Sequence, residues 1–189
     1  MPLWLVILIG YMLGSLPTAY IAGRILKGGD IRRMGDENPG AANAYRELGA
    51  KAGIVVGVID AGKGALAILI AQAGGVSQTI VMFTGIAAVV GHNWPVFIGF
   101  RGGRGVSTTI GILIVLIPIP MLILALPTLL ILIIRRSVTP SMAFLFIALP
   151  FVDWWLNVPV TLILYGIALP ALTGITTFFI TRPKAVREA

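Results

Sequence analysis

The sequence predicts an all-α integral membrane protein: a bundle of about seven transmembrane helices, some short or re-entrant, with the N-terminus outside and the C-terminus cytoplasmic. Three observations predict it. Of the 189 residues 58% are hydrophobic and only 11% charged, against about 25% charged in soluble domains. Mean hydropathy is +1.00, so there is too little polar surface to coat a globule. Apolar runs alternate with polar links, and the basic residues gather in alternate links, as cytoplasmic loops do. No linker interrupts the pattern, and residues 1–189 are expected to form one polytopic membrane domain.

The first span, residues 3–25, lacks a basic leading region and a clear cleavage site, so it reads as a retained anchor rather than a signal peptide. A polar stretch, 26–51, follows. Residues 53–73 and 79–91 are the next spans, joined by the short link 74–78. After a central loop comes the apolar run 106–134, interrupted by Pro118 and Pro120. Proline bends or ends a helix, so this run reads as a hairpin bent at 118–120. Its first arm falls far short of the roughly 20 residues of a full span, and short, partly re-entrant helices are expected there. Residues 141–152 and 158–180 complete the bundle. Between them, Trp154 and Trp155 fit an outer interfacial belt.

The lysines and arginines set the orientation. With the first span running outside to inside, the 26–51 stretch, the central loop, Arg135–Arg136 and the basic tail all face the cytoplasm. The links at 74–78, 118–120 and 153–157 face outward and contain no lysine or arginine, and only Lys63 lies inside a span. The net charge of +7 is therefore accounted for by loops facing an anionic leaflet, not by nucleic acid. There is no cysteine, which excludes disulfides.

Two polar stretches carry the candidate chemistry. The central one runs from Gly91 through the only histidine, His92, to Arg101-Gly102-Gly103-Arg104-Gly105 and the hydroxyl run Ser107 to Thr109. Glycines at 102, 103 and 105 let backbone N–H groups turn inward, and the helix start that follows attracts anions. With two fixed positive charges alongside, the stretch fits a phosphate or carboxylate site. The alternative is a cytoplasmic loop whose arginines serve only to orient the neighbouring spans, and the physics of anion binding favours the site. The other stretch, 35–46, holds Asn38, Gly40, Asn43 and Arg46. Its small residues suit close approach to a polar ligand, while Asn38-Pro39-Gly40 is also turn chemistry and Asn43 could cap a short helix. By the charge rule both loops lie on one face, so they can converge.

Nucleotide and metal motifs fall away. Gly57 to Lys63 begins like a phosphate-binding loop, but Gly64 stands where Ser or Thr must meet magnesium. Asp60 and Lys63 read instead as an i,i+3 pair whose mutual attraction makes burial tolerable. One histidine and scattered carboxylates form no ligand cluster, so no metal site is expected.

Taken together, Gly14-Ser15-Leu16-Pro17, the 35–46 stretch, Asp60-x-x-Lys63-Gly64, and Gly91-His92-x-x-Pro95-x-Phe97 running into Phe100 to Val106 resemble the bacterial acyl-phosphate:glycerol-3-phosphate acyltransferases over nearly the whole chain. The resemblance implies a seven-span enzyme that moves an acyl chain from acyl phosphate to the 1-hydroxyl of glycerol 3-phosphate at the cytoplasmic face of the cell inner (plasma) membrane. Lysophosphatidic acid and phosphate result, without a cofactor, and no protein partner is implied. It assigns the phosphate-binding motif to Arg101 through Val106 and a substrate motif to Asn38, Gly40, Asn43 and Arg46, and it places a serine, Ser141, near the site. The chain departs from the family pattern at Asp36, where serine is usual, at Ala42, where threonine is usual, and at Arg101 and Arg104, where lysines are usual. The basic His/Asn/Glu motif that typically ends the family is also missing from Thr181 to Glu188.

An acyl phosphate is already activated, so such an enzyme mainly positions two anions and stabilises charge. Arg46, Arg101 and Arg104 would hold phosphates. No Ser-His-Asp constellation is evident, which points to direct transfer rather than an acyl-enzyme. His92 is the one neutral-pH base available; it either takes the hydroxyl proton or caps a helix. Two other classes share the bundle: a divergent, non-catalytic or altered-substrate paralogue that binds lipid or phosphate, and a small-solute transporter. The latter would need inverted repeats meeting at mid-membrane, whereas these motifs cluster on one face.

Overall fold

The computed structural model describes residues 1–180, which are helical without a strand; the basic tail and the C-terminal motif comparison lie outside the described residues. The first span is two helices, α1 (Leu3–Gly14) and α2 (Thr18–Lys27). Pro17 has no N–H to continue the ladder, so the chain turns at Ser15 and Leu16, and the Leu16 carbonyl accepts the Thr18 N–H at 3.0 Å. The polar stretch is partly ordered as well: a 3-10 turn at Ile31–Arg33 precedes α3 (Ala41–Leu48). Then come α4 (Ala50–Ala73) and α5 (Gln78–Asn93), a second 3-10 turn at Val96–Ile98, α6 (Val106–Leu116), α7 (Pro118–Arg135), α8 (Val138–Trp155) and α9 (Val160–Ile180).

Among the described residues, six stretches are long and apolar enough to cross a membrane, α1 with α2 counting as one. The short helix expected after the central loop is α6, of 11 residues. The bend expected at 118–120 falls instead at Ile117, and Pro118 and Pro120 both lie in the first turn of α7. Proline is tolerated there because the first N–H groups of a helix have no intrahelical partner.

Small residues let the helices approach closely, as membrane packing requires. A Cβ on Gly14 of α1 would run into the Ala88 carbonyl of α5. α6 lies across α4, with Gly64 against Thr108 and Gly111 against Ala61. One apolar core joins α1, α4, α5, α6 and α9 through Val6, Ile68, Val89, Ile112 and Leu169. A second joins α6, α7 and α8 through Leu113, Leu124 and Leu149. A third, of Ala19, Ile31, Ala44 and Val56, packs α2 and α3 onto the N-terminal half of α4. The outer faces present apolar side chains such as Leu122 and Ile134, and Trp154 and Trp155 are exposed at the end of α8.

Two long-range contacts order the ends of the bundle. The Met1 ammonium reaches the Gly74 carbonyl at 3.5 Å, so the start of the chain and the 74–78 link share one end. At the other end Arg32 Nη1 donates to the Ile98 carbonyl at 2.7 Å, tying the first polar stretch to the central loop.

Candidate active site

The floor of the site is built on α4. Asp60 and Lys63 are one turn apart on its buried face, and their ion pair measures 2.9 Å, with 2% and 4% of the respective side chains exposed. Lys63 Nζ also donates to the Leu16 carbonyl at 2.9 Å, at the break between α1 and α2. His92, in the last turn of α5, places Nδ1 3.8 Å from the same Asp60 oxygen. Its Nε2 edge lies against Gly103, where any Cβ would collide with it. The pair expected from the sequence is thus present, but the sequence did not place it beside His92. Unpaired charge is costly within a membrane helix, and that cost was the available signal that this pair belongs to a site.

The glycine-rich loop folds back over the end of α5. The Gly102 N–H donates to the Asn93 carbonyl at 3.0 Å and the Gly103 N–H to the His92 carbonyl at 3.1 Å. This corrects the expected nest: two of its N–H groups are spent on α5 and are not offered to an anion. What these glycines supply is closeness, since a Cβ on Gly102 would meet the His92 carbonyl. Gly105 takes a left-handed conformation, with φ of 81°, and starts α6.

The rim comes from the 35–46 stretch, and it does converge with the central loop. Asp36 is its hub. Arg46 Nη2 donates to Asp36 Oδ2 at 2.7 Å, and Arg104 Nη2 stands 3.7 Å from the same oxygen. The other carboxylate oxygen accepts the Asn38 N–H at 3.3 Å. Asn38 is buried and its Oδ1 has no protein partner; the same holds for the Nε of Arg104. Gly40 ends the turn and starts α3. Asn43 does not cap that helix but sits inside it. Fully buried, its amide donates to the Met34 carbonyl at 2.9 Å and accepts the Asp36 N–H at 3.3 Å, so it shapes the loop that carries Asp36.

A small cavity lies between rim and floor, lined by Leu16, Pro39, Lys63, His92, Gly102 and Gly103 among others. Arg101 is exposed and is not among the residues that line it. Nor is Ser141, which is buried in α8 with its hydroxyl donating to the Ser137 carbonyl at 2.9 Å. Arg32, which sequence reasoning passed over, clamps the loops together. Asp30 grips its guanidinium at 2.8 to 3.2 Å, and Tyr20 lies under it at 5.0 Å. These hydrogen bonds hold the Asp30 carboxyl below its ordinary range and push the Arg32 guanidinium further up.

The family model described as glycerol-3-phosphate acyltransferase matches residues 4–184. The chain belongs to this family. A relative from Dehalococcoides mccartyi named glycerol-3-phosphate acyltransferase 4 is 47% identical over 182 residues, 96% of this chain and 98% of its own. The crystal structure of PlsY (YgiH), an integral membrane glycerol 3-phosphate acyltransferase, in its glycerol 3-phosphate form is 32% identical with a TM-score of 0.84. That match covers 94% of this chain and 88% of the other. The lysophosphatidic acid form of the same enzyme is 30% identical, with a TM-score of 0.82 over the same shares. The likeness establishes the bundle as an integral membrane fold.

Proposed function

We propose that this protein moves a fatty acyl group from acyl phosphate to the 1-hydroxyl of glycerol 3-phosphate, releasing lysophosphatidic acid and phosphate. The observation that carries the reading is the convergence of two arginines, Arg46 and Arg104, on Asp36, in the loop whose Pro39 lines the cavity that also holds the buried His92. The fold around that cavity has solved counterparts in glycerol 3-phosphate and lysophosphatidic acid forms. We place the site at the cytoplasmic face of the plasma membrane in a seven-span bundle, with α6 as the short span.

Each step has a residue for it. The guanidiniums hold phosphate through charge-assisted hydrogen bonds. His92 Nε2 takes the proton of the attacking hydroxyl, and the Asp60 carboxylate beside Nδ1 stabilises the imidazolium that forms. The hydroxyl oxygen bonds to the acyl carbon, the acyl carbon–oxygen bond to phosphate breaks, and phosphate leaves with that electron pair and then takes the proton from His92. Lys63, held by Asp60 and the Leu16 carbonyl, keeps a positive charge under the cavity. The non-catalytic and transporter readings lose ground to a 47% identical relative named as an acyltransferase.

Purified protein supplied with acyl phosphate and glycerol 3-phosphate should yield lysophosphatidic acid by mass spectrometry. Initial-rate lines at varied acceptor should intersect, as direct transfer in a ternary complex requires. Parallel lines together with an acylated serine would overturn the mechanism, and absence of product would overturn the function.

A further inference from the structure

The phosphate cradle described above already contains an anion, and it belongs to the chain. The Asp36 carboxylate lies between the two guanidiniums assigned to phosphate, 2.7 Å from Arg46 and 3.7 Å from Arg104, sharing one oxygen, Oδ2, with both. The placement is built rather than incidental. The Asp36 N–H is tied to the buried Asn43 amide and its Oδ1 to the Asn38 N–H. Yet the carboxylate is 32% exposed and Arg46 52% exposed, so water and a small soluble anion reach them.

We propose that Asp36 is a resident anion that competes with the acceptor's phosphate for Arg46 and Arg104 and so sets the affinity for glycerol 3-phosphate. The inference rests on the cradle reading above. A carboxylate and a phosphate present similar oxygen edges to a guanidinium fork, so the two cannot both take the short contacts. The resident charge also lowers the local sum from two positive charges to one. The acceptor is the substrate concerned, because the cradle stands at the exposed rim, where a water-soluble phosphate monoester enters. The acyl donor carries a chain that belongs in lipid. Binding is then an exchange: the phosphate displaces the carboxylate, and Asp36 turns to water, where it is well solvated. A purely structural ion pair predicts the opposite sign, since its removal would loosen both arginines and weaken binding.

Asp36→Asn keeps the oxygen that accepts the Asn38 N–H and removes the charge; Asp36→Ser is the second variant, should the amide disturb the loop. Exposed ion pairs are weak, so the expected fall in KM for glycerol 3-phosphate is about twofold to fivefold. Inhibition by inorganic phosphate should tighten in parallel. Arg104→Ala is run beside them. If Arg104→Ala raises KM while both Asp36 variants leave it unchanged or raise it, the resident-anion proposal falls and the cradle stands. If Arg104→Ala leaves KM unchanged, the cradle reading falls and takes this proposal with it.

Discussion

In the mechanism proposed above the chemistry turns on His92, and its surroundings define what its loss should do. Its Nδ1 faces Asp60 and its Nε2 faces the Gly103 edge of the cavity, an orientation with one nitrogen for a carboxylate and one for a substrate. His92→Ala should lower kcat by about 100-fold or more if the imidazole takes the hydroxyl proton, with far less effect on KM for glycerol 3-phosphate. A loss confined to KM, or one under about tenfold in kcat, would leave the histidine only its place at the end of α5. The importance of this residue was legible in the sequence, because it is the one imidazole in the chain and heads the glycine-rich loop. Its partners were not. Asp60 lies 32 positions away on another helix, and the carbonyls that consume the Gly102 and Gly103 N–H groups belong to α5. A glycine-rich run reads locally as a nest for an anion; whether its donors are free depends on acceptors that only the fold brings near. Asn43 misled in the same way, since its amide bonds backbone atoms seven to twelve residues back.

At the scale of elements, the break between α1 and α2 and the charged turn of α4 form one device. The Leu16 carbonyl, at the turn before Pro17, accepts from Lys63, and Asp60 holds Lys63. The sequence showed Pro17 and the ion pair separately, and treated residues 3–25 as unbroken because apolar periodicity does not register a two-residue turn. Lys63→Met should therefore be costly, by about 3–5 kcal/mol, because it strands a buried carboxylate. Adding Asp60→Asn to Lys63→Met should recover part of that loss in a thermal melt; a Lys63→Met protein as stable as the parent would contradict the device. The clamp formed by Arg32 obeys a different control. Arg32 holds the Asp30 carboxyl below its ordinary range, so the stabilisation is fully present above the unfolded carboxylate value of about 3.9 and is lost as pH falls through the lower folded value. The gap in melting temperature between the parent and Asp30→Asn should be steady from neutral pH down to about 5 and close below about 4. A gap that instead opens on acidification would show that the carboxylate is not what holds Arg32 to the Ile98 carbonyl.

For the whole molecule, composition alone revealed the membrane class, and the alternation of polar links revealed the order of spans. The fold adds which links share an end. Met1 meets Gly74, while Arg32 meets Ile98 and Asp36 meets Arg104, so the 35–46 stretch and the central loop gather opposite the chain's start. Which end faces the cytoplasm is then a question of charge. Arg24, Lys27, Arg32, Arg33, Arg46, Lys51, Arg101 and Arg104 all belong to the α2–α4 stretch and the central loop, whereas the 74–78 link carries no lysine or arginine. The positive-inside bias counts lysine and arginine in short loops, so we expect the site to open to the cytoplasm, where glycerol 3-phosphate is dissolved. The chain has no cysteine, which makes single-cysteine labelling direct. In intact cells Ser77→Cys, in the 74–78 link, should react with a membrane-impermeant maleimide, while Ser137→Cys, beside Arg135 and Arg136, should react only after the membrane is opened. The reverse pattern would turn the molecule over and set its arginines against the wrong compartment, and the proposed supply of acceptor from the cytoplasm would fail with it.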